Sequence, residues 1–110
     1  MNPELREKFG RMLNFAIKAK RAVNGVSKEA FVDDEDRREL VCFRLGHIGE
    51  IAHTISDEEQ DNYPHLFWGQ MIGLRHRLFH GYGNINFGMV YDVTQSPLDE
   101  FITNLKKLEP

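Results

Sequence analysis

Apolar residues in this chain recur every three or four positions, the spacing of helices that bury one face. Leu5, Phe9, Met12, Leu13, Ala16 and Val23 predict a first helix from near Pro3 to about Val23. Pro3 suits a first helical turn, and Asn24-Gly25 is a stop signal. Ser27 and the acidic run Asp33-Asp34-Glu35-Asp36 mark the start of a second helix, because acids favour a helix N-terminus. The stripe Val41, Leu45, Ile48, Ala52 and Ile55 makes it the longest helix and the centre of the fold. Ser56-Asp57-Glu58-Glu59 reads as a capping box for a short helix that must stop before Pro64. Phe67 to His80 predicts another helix, closed by the turn Gly81-Tyr82-Gly83. Asn86 caps a segment with Met89, Val90 and Val93 on one face. Ser96-Pro97 restarts the helix, with serine as cap and proline in the first turn, and Leu98, Phe101, Ile102, Leu105 and Leu108 complete it. That region is either two helices or one kinked at Pro97. No β alternation and no repeat appears. The pattern predicts an all-α fold: an antiparallel up-and-down bundle of four long helices plus a short one, forming one domain over residues 1–110.

Composition adds limits. The chain has 110 residues, 41% hydrophobic and 28% charged, as in ordinary globular proteins. No apolar run approaches the ~20 residues of a membrane span. The N-terminus is too charged for a secretory signal, so the cytoplasm is the expected location. Cys42, the single cysteine, excludes an internal disulfide framework and reads as a small core residue. The net charge of −3 speaks against indiscriminate nucleic-acid binding. Its distribution says more. Residues 1–21 hold six of the 14 basic residues, and residues 29–61 hold 11 of the 17 acids. From Asn62 to Tyr91 there is no acid, yet that span carries Arg75, Arg77 and three of the five histidines. By sequence, a phosphate meets no local carboxylate there.

The unusual stretch is Trp68 to Asn86. At about 100° per residue, Leu74, Phe67, Leu78, Met71, Trp68, Phe79 and Ile72 form an apolar arc. Arg75 falls in its middle, and a buried arginine needs a partner. Helix C-terminal carbonyls or a carboxylate would serve, and Glu50 is the leading candidate. His80 lies five positions on, about 140° round a straight helix. Either the helix ends there and His80 swings round with Tyr82, or two copies of the helix face each other and share one cleft.

The pattern Arg75-x4-His80-x-Tyr82 resembles the signature of the HEPN superfamily, specifically the HepT-like toxins encoded beside a minimal nucleotidyltransferase. Ile48-Gly49-Glu50, the segment Ser56 to Trp68 and Asn84-Ile85-Asn86 fit the same family. The similarity runs from about Phe31 to Leu105. The family most often has Asn directly after the arginine; here it is His76, which keeps a polar residue.

The resemblance implies a metal-independent endoribonuclease with no cofactor, acting as a homodimer whose cleft takes Arg75 and His80 from both copies. RNA, tRNA or mRNA, is the implied substrate. The chemistry suits those residues. Attack of a 2′-hydroxyl on the adjacent phosphorus needs a group that titrates near neutrality, which histidine supplies. It also needs a cation for the phosphorane, and arginine's planar fork matches phosphate oxygens. His76 and Arg77 are supporting residues. The resemblance further implies that a cognate nucleotidyltransferase antitoxin adds AMP to Tyr82, silencing the cleft with charge and bulk. Two other readings stay open. His76 and His80, four apart, could begin a helical metal site with His65 as a third ligand. Or the bundle is a non-catalytic subunit that only docks a nucleotidyltransferase.

Overall fold

A computed structural model describes all residues, 1–110. Helix α1 spans Pro3–Val23, as its pattern predicts. Asn2 caps it by accepting the Leu5 N–H at 2.8 Å, and Pro3 sits in the first turn, where a missing N–H loses nothing. The chain leaves through Gly25 at φ 73°, a left-handed value that suits glycine.

The expected second helix is in fact two. Helix α2 spans Lys28–Asp33 with Ser27 as cap, and α3 spans Glu35–His53 with Asp34 as cap. The cause is local hydrogen bonding. The Asp34 carboxylate accepts the Arg37 N–H at 3.0 Å and its Nε at 3.1 Å, satisfying a new helix start in place of backbone carbonyls. Helix α4 spans Asp57–Asp61, with the Glu59 N–H donating to Ser56 Oγ at 3.2 Å.

Helix α5 spans Trp68–His80 and starts one residue later than expected, because Phe67 lies in the left-handed region at φ 54°. The Trp68 indole N–H donates to the Tyr63 carbonyl at 2.8 Å and ties this start to the 3-10 turn Pro64–Leu66. Helices α6, Phe87–Val93, and α7, Ser96–Lys107, are separate rather than one kinked helix. The buried Thr94 hydroxyl donates to the Tyr91 carbonyl at 2.5 Å and ends α6. Ser96 is not the cap of α7. Gln95 occupies that position without a side-chain cap bond, and Ser96 lies inside the first turn with Pro97.

The result is an all-α bundle in which α1, α3, α5 and α7 are long and α2, α4 and α6 are short, two more short helices than the pattern predicts. Helix α3 packs between α1 and α5, α1 packs on α7, and α2 on α6. Interhelical bonds fix the alternation of direction: Lys8 near the start of α1 reaches Thr54 past the end of α3, and Lys20 near its end reaches Asp99 at the start of α7. A single cluster of 23 buried residues forms the core, with Phe9, Met12, Phe31, Val41 and Leu105 fully enclosed. Helices α5 and α7 face each other across an apolar groove of about 520 Å³ floored by Leu45 and Ile48. No helix is long and apolar enough to cross a membrane.

The closest helix contact is α3 on α5. A Cβ added at Gly49 would stand 2.5 Å from Arg75 Cβ and 2.5 Å from the Met71 carbonyl oxygen. One added at Gly46 would stand 2.5 Å from the Phe79 ring. The two clashes differ in kind. Phe79 is 38% exposed and can swing aside, whereas the Met71 carbonyl moves only with the helix. Gly49→Ala is therefore expected to lower unfolding free energy by about 1–3 kcal/mol, the range of overpacked cores. Gly46→Ala should change it by less than about 1 kcal/mol, because alanine's helix propensity offsets the ring's displacement. Equal losses in urea denaturation would contradict this ordering.

Candidate active site

Arg75 sits in the middle of the α5 face turned to α3, where the wheel puts it. It is not left among apolar groups. Its Nε donates to Glu50 Oε1 at 2.6 Å, so the predicted carboxylate partner is the observed one. The Arg75 side chain is 21% exposed and that of Glu50 41%, which places the pair at the rim of the α3–α5 seam. The Arg75 hydrogen bond, outweighing desolvation, holds the Glu50 carboxyl below its ordinary range, with His47 and His53 adding smaller effects. The span that lacks acids in sequence is therefore not free of them in space.

The helix continues straight to His80. Gly81 ends it at φ −127°, with its N–H on the Arg77 carbonyl at 3.0 Å, so the stop is not a left-handed cap. His80 does not swing toward Arg75. It lies exposed on the outer flank of α5 with His76, their ring centroids 5.1 Å apart. Arg77 faces a third way, lining the groove toward α7 with Glu100 and a smaller pocket with Asn84 and Asn86. One chain thus brings together Arg75 with Glu50, and His76 with His80, but not Arg75 with His80.

Tyr82 turns away from both, in the 3-10 turn Tyr82–Asn84. Its ring meets Phe87 edge-on at 5.8 Å and remains 40% exposed. Partial burial is the main cause that pushes its phenol above the ordinary value, and Glu39 and Glu35 on α3 act in the same direction. Arg38, stacked 4.2 Å over Phe87, opposes them.

Sequence reasoning missed one feature. Phe43 is 53% exposed on the outer face of α3 and packs on His47 at 4.2 Å. His47 in turn meets Phe79 of α5 at 5.5 Å and Phe15 of α1 at 5.6 Å. An aromatic ridge therefore crosses α1, α3 and α5, one turn from the Glu50–Arg75 pair. The signal was available: Phe43 falls opposite the Val41–Leu45–Ile48 stripe, where polar residues belong.

The basic residues of α1 are mostly engaged elsewhere. Arg6 bonds the Glu109 carbonyl, Lys8 pairs with Glu4, Arg11 with Glu7 and Lys20 with Asp99, leaving the Lys18 and Arg21 side chains without partners. Within one chain the geometry does not assemble the metal site. No group of three His, Cys, Asp or Glu side chains could hold an ion. His65 belongs to the Pro64–Leu66 turn, where its carbonyl accepts from Asn104. Cys42 is buried, which pushes its thiol up to about 11, as expected of a core residue and not of a nucleophile.

The fold is an all-α bundle, with Arg75 and His80 on its third long helix and Tyr82 in the turn that follows. The sequence pattern of the family described as Ribonuclease HepT-like matches residues 12–108, and the chain belongs to that family. A protein of Methanocaldococcus jannaschii named as a candidate RNase is 25% identical over 85 residues, covering 77% of this chain and 70% of that one. A similarly named protein of Caldanaerobacter subterraneus subsp. tengcongensis is 24% identical over 86 residues, covering 78% and 77%. No solved structure matches.

The Glu50–Arg75 pair makes a pH prediction. A carboxyl whose folded-state value is depressed stabilises the fold above its unfolded value, and loses that contribution as pH falls through the folded value. Glu50→Gln should therefore be less stable than wild type near neutral pH. The gap should shrink once the pH falls well below the ordinary 4.5. Urea midpoints of both proteins across that range give the test, and a gap independent of pH would rule the pair out as a stabilising contact.

Proposed function

We propose that this protein is a toxin-type, metal-independent endoribonuclease that acts as a homodimer, with Arg75 and His80 meeting only across the cleft between two copies. The observation that carries this is the divergence on α5: Arg75 is turned to the α3 seam while His76 and His80 point outward, about 100° and about 140° away. A second copy resolves the divergence by supplying His80 opposite the first copy's Arg75. The aromatic ridge of Phe43, His47 and Phe79 supports the same arrangement, because an exposed apolar face of this kind marks a surface that something covers.

In the proposed reaction the substrate's 2′-hydroxyl oxygen attacks the adjacent phosphorus. Its proton passes to one copy's neutral His80. The P–O5′ bond breaks, and the other copy's protonated His80 donates to the departing 5′ oxygen. The products are a 2′,3′-cyclic phosphate and a 5′-hydroxyl. Arg75 stabilises the negative charge on the non-bridging oxygens. His76 beside His80, and Arg77 on the far flank, bind neighbouring phosphates, and tRNA or mRNA is the substrate.

Cleavage of total RNA and tRNA in chelator tests this. Arg75→Ala and His80→Ala should each lose about 10²–10⁴-fold in rate, and wild-type products should carry 2′,3′-cyclic ends. Mixing the two inactive variants should leave cleavage impaired, since a mixed dimer holds one His80 where the reaction uses two. Equal cleavage by all three proteins, or none by wild type, would favour the docking-subunit reading instead.

Tyr82 is the site we assign to the nucleotidyltransferase antitoxin. Its phenol oxygen attacks the α-phosphorus of ATP and pyrophosphate leaves. The phenol proton passes to a base of the transferase. Wild type incubated with ATP and the adjacent-gene transferase should gain the mass of AMP on Tyr82 and lose cleavage. Tyr82→Phe should gain nothing and stay active. Modification at another residue, or a modified protein that still cuts, would overturn the assignment.

A further inference from the structure

We propose that Glu50 is a positioning residue for the cleavage reaction: it fixes Arg75 by the Nε edge of the guanidinium and leaves the Nη1–Nη2 edge to the phosphate. The inference rests on the ribonuclease reading above.

The hydrogen-bond geometry comes first. Arg75 makes one side-chain hydrogen bond, Nε to Glu50 Oε1 at 2.6 Å, and neither Nη is bonded to protein. A guanidinium presents donors in a fixed planar fork. With Nε engaged, its terminal edge stays open for two phosphate oxygens.

The second point is that the side chain is held at both ends. Its Cβ lies against Gly49 so closely that one more carbon there would stand 2.5 Å away. Its Nε is tied to the residue after that glycine. Gly49 and Glu50 thus set the two ends of one long side chain, and the torsions between them are restricted. Ordering of this kind lets a charged group meet a transition state without reorganising.

The third point is charge. A carboxylate beside a phosphate site repels the substrate, so Glu50 does not serve RNA affinity. Nearby His47 and His53 help keep it ionised. Its benefit must lie in orientation, and orientation shows in kcat rather than in KM.

Two conservative variants separate reach from charge. Glu50→Gln keeps an oxygen that can accept from Nε but loses the charge. Glu50→Asp keeps the charge but falls one methylene short. Steady-state cleavage of a fluorescent single-stranded RNA, with circular dichroism as the folding control, should give Glu50→Gln a kcat within about five-fold of wild type. Glu50→Asp and Glu50→Ala should fall by about 10–100-fold in kcat, with KM unchanged or lower. The opposite order, Asp near wild type and Gln impaired, would overturn the inference, as would a wild-type kcat in Glu50→Ala. Those outcomes leave the ribonuclease reading intact. A wild type that cuts no RNA overturns that reading and this inference with it.

Discussion

Without side chains at Gly46 and Gly49, α5 lies close enough on α3 for a main-chain carbonyl and a Cβ to occupy the space a methyl group would need. That approach brings the Arg75 guanidinium within reach of Glu50 and lays Phe79 beside His47. It also turns Leu74 and Met71 toward α7, where they wall the apolar groove. An arginine on an apolar helix face would otherwise carry a large desolvation cost, and a single short ion pair at the seam offsets it. Packing and chemistry therefore depend on the same contact.

Most of the fold was legible because its signals were local. Helix α1 follows its stripe, and the caps at Ser56 and Asn86 form as the sequence indicates. The failures came where two local signals competed. Ser27 and Asp34 are both good caps, and periodicity could not show that the chain uses each for its own helix. At Ser96-Pro97 the expected capping serine moves inside the helix, because Thr94 had already ended the previous one through its own hydroxyl. Phe67 looked helical by spacing, yet a tertiary tie at Trp68 holds it left-handed.

Of the candidate site, one pairing was legible, that of Arg75 with Glu50. Glu50 is 25 positions from Arg75, and nothing in the linear pattern fixes which acid meets it. What the linear view could not give is direction. Arg75, Arg77 and His80 are close in sequence but leave α5 toward the seam, the groove and solvent respectively. Charge was misread for the same reason. The acid-free span acquires carboxylates from α3, with Glu50 at Arg75 and Glu35 and Glu39 acting on Tyr82.

The two glycines act together as a keyed joint. They lie three positions apart on α3 and receive Arg75 and Phe79, four apart on α5. Sliding α5 by one turn, ~5.4 Å, in the direction that carries Phe79 to Gly49 would set its ring on the notch that now accepts Arg75 Cβ. The outer flank carries no such key: Gly73, His76 and His80 are exposed, and a Cβ added at Gly73 would meet open space. Mechanical constraint thus falls on one half of α5, and the other half is free to exchange its reactive groups without disturbing how the helix seats.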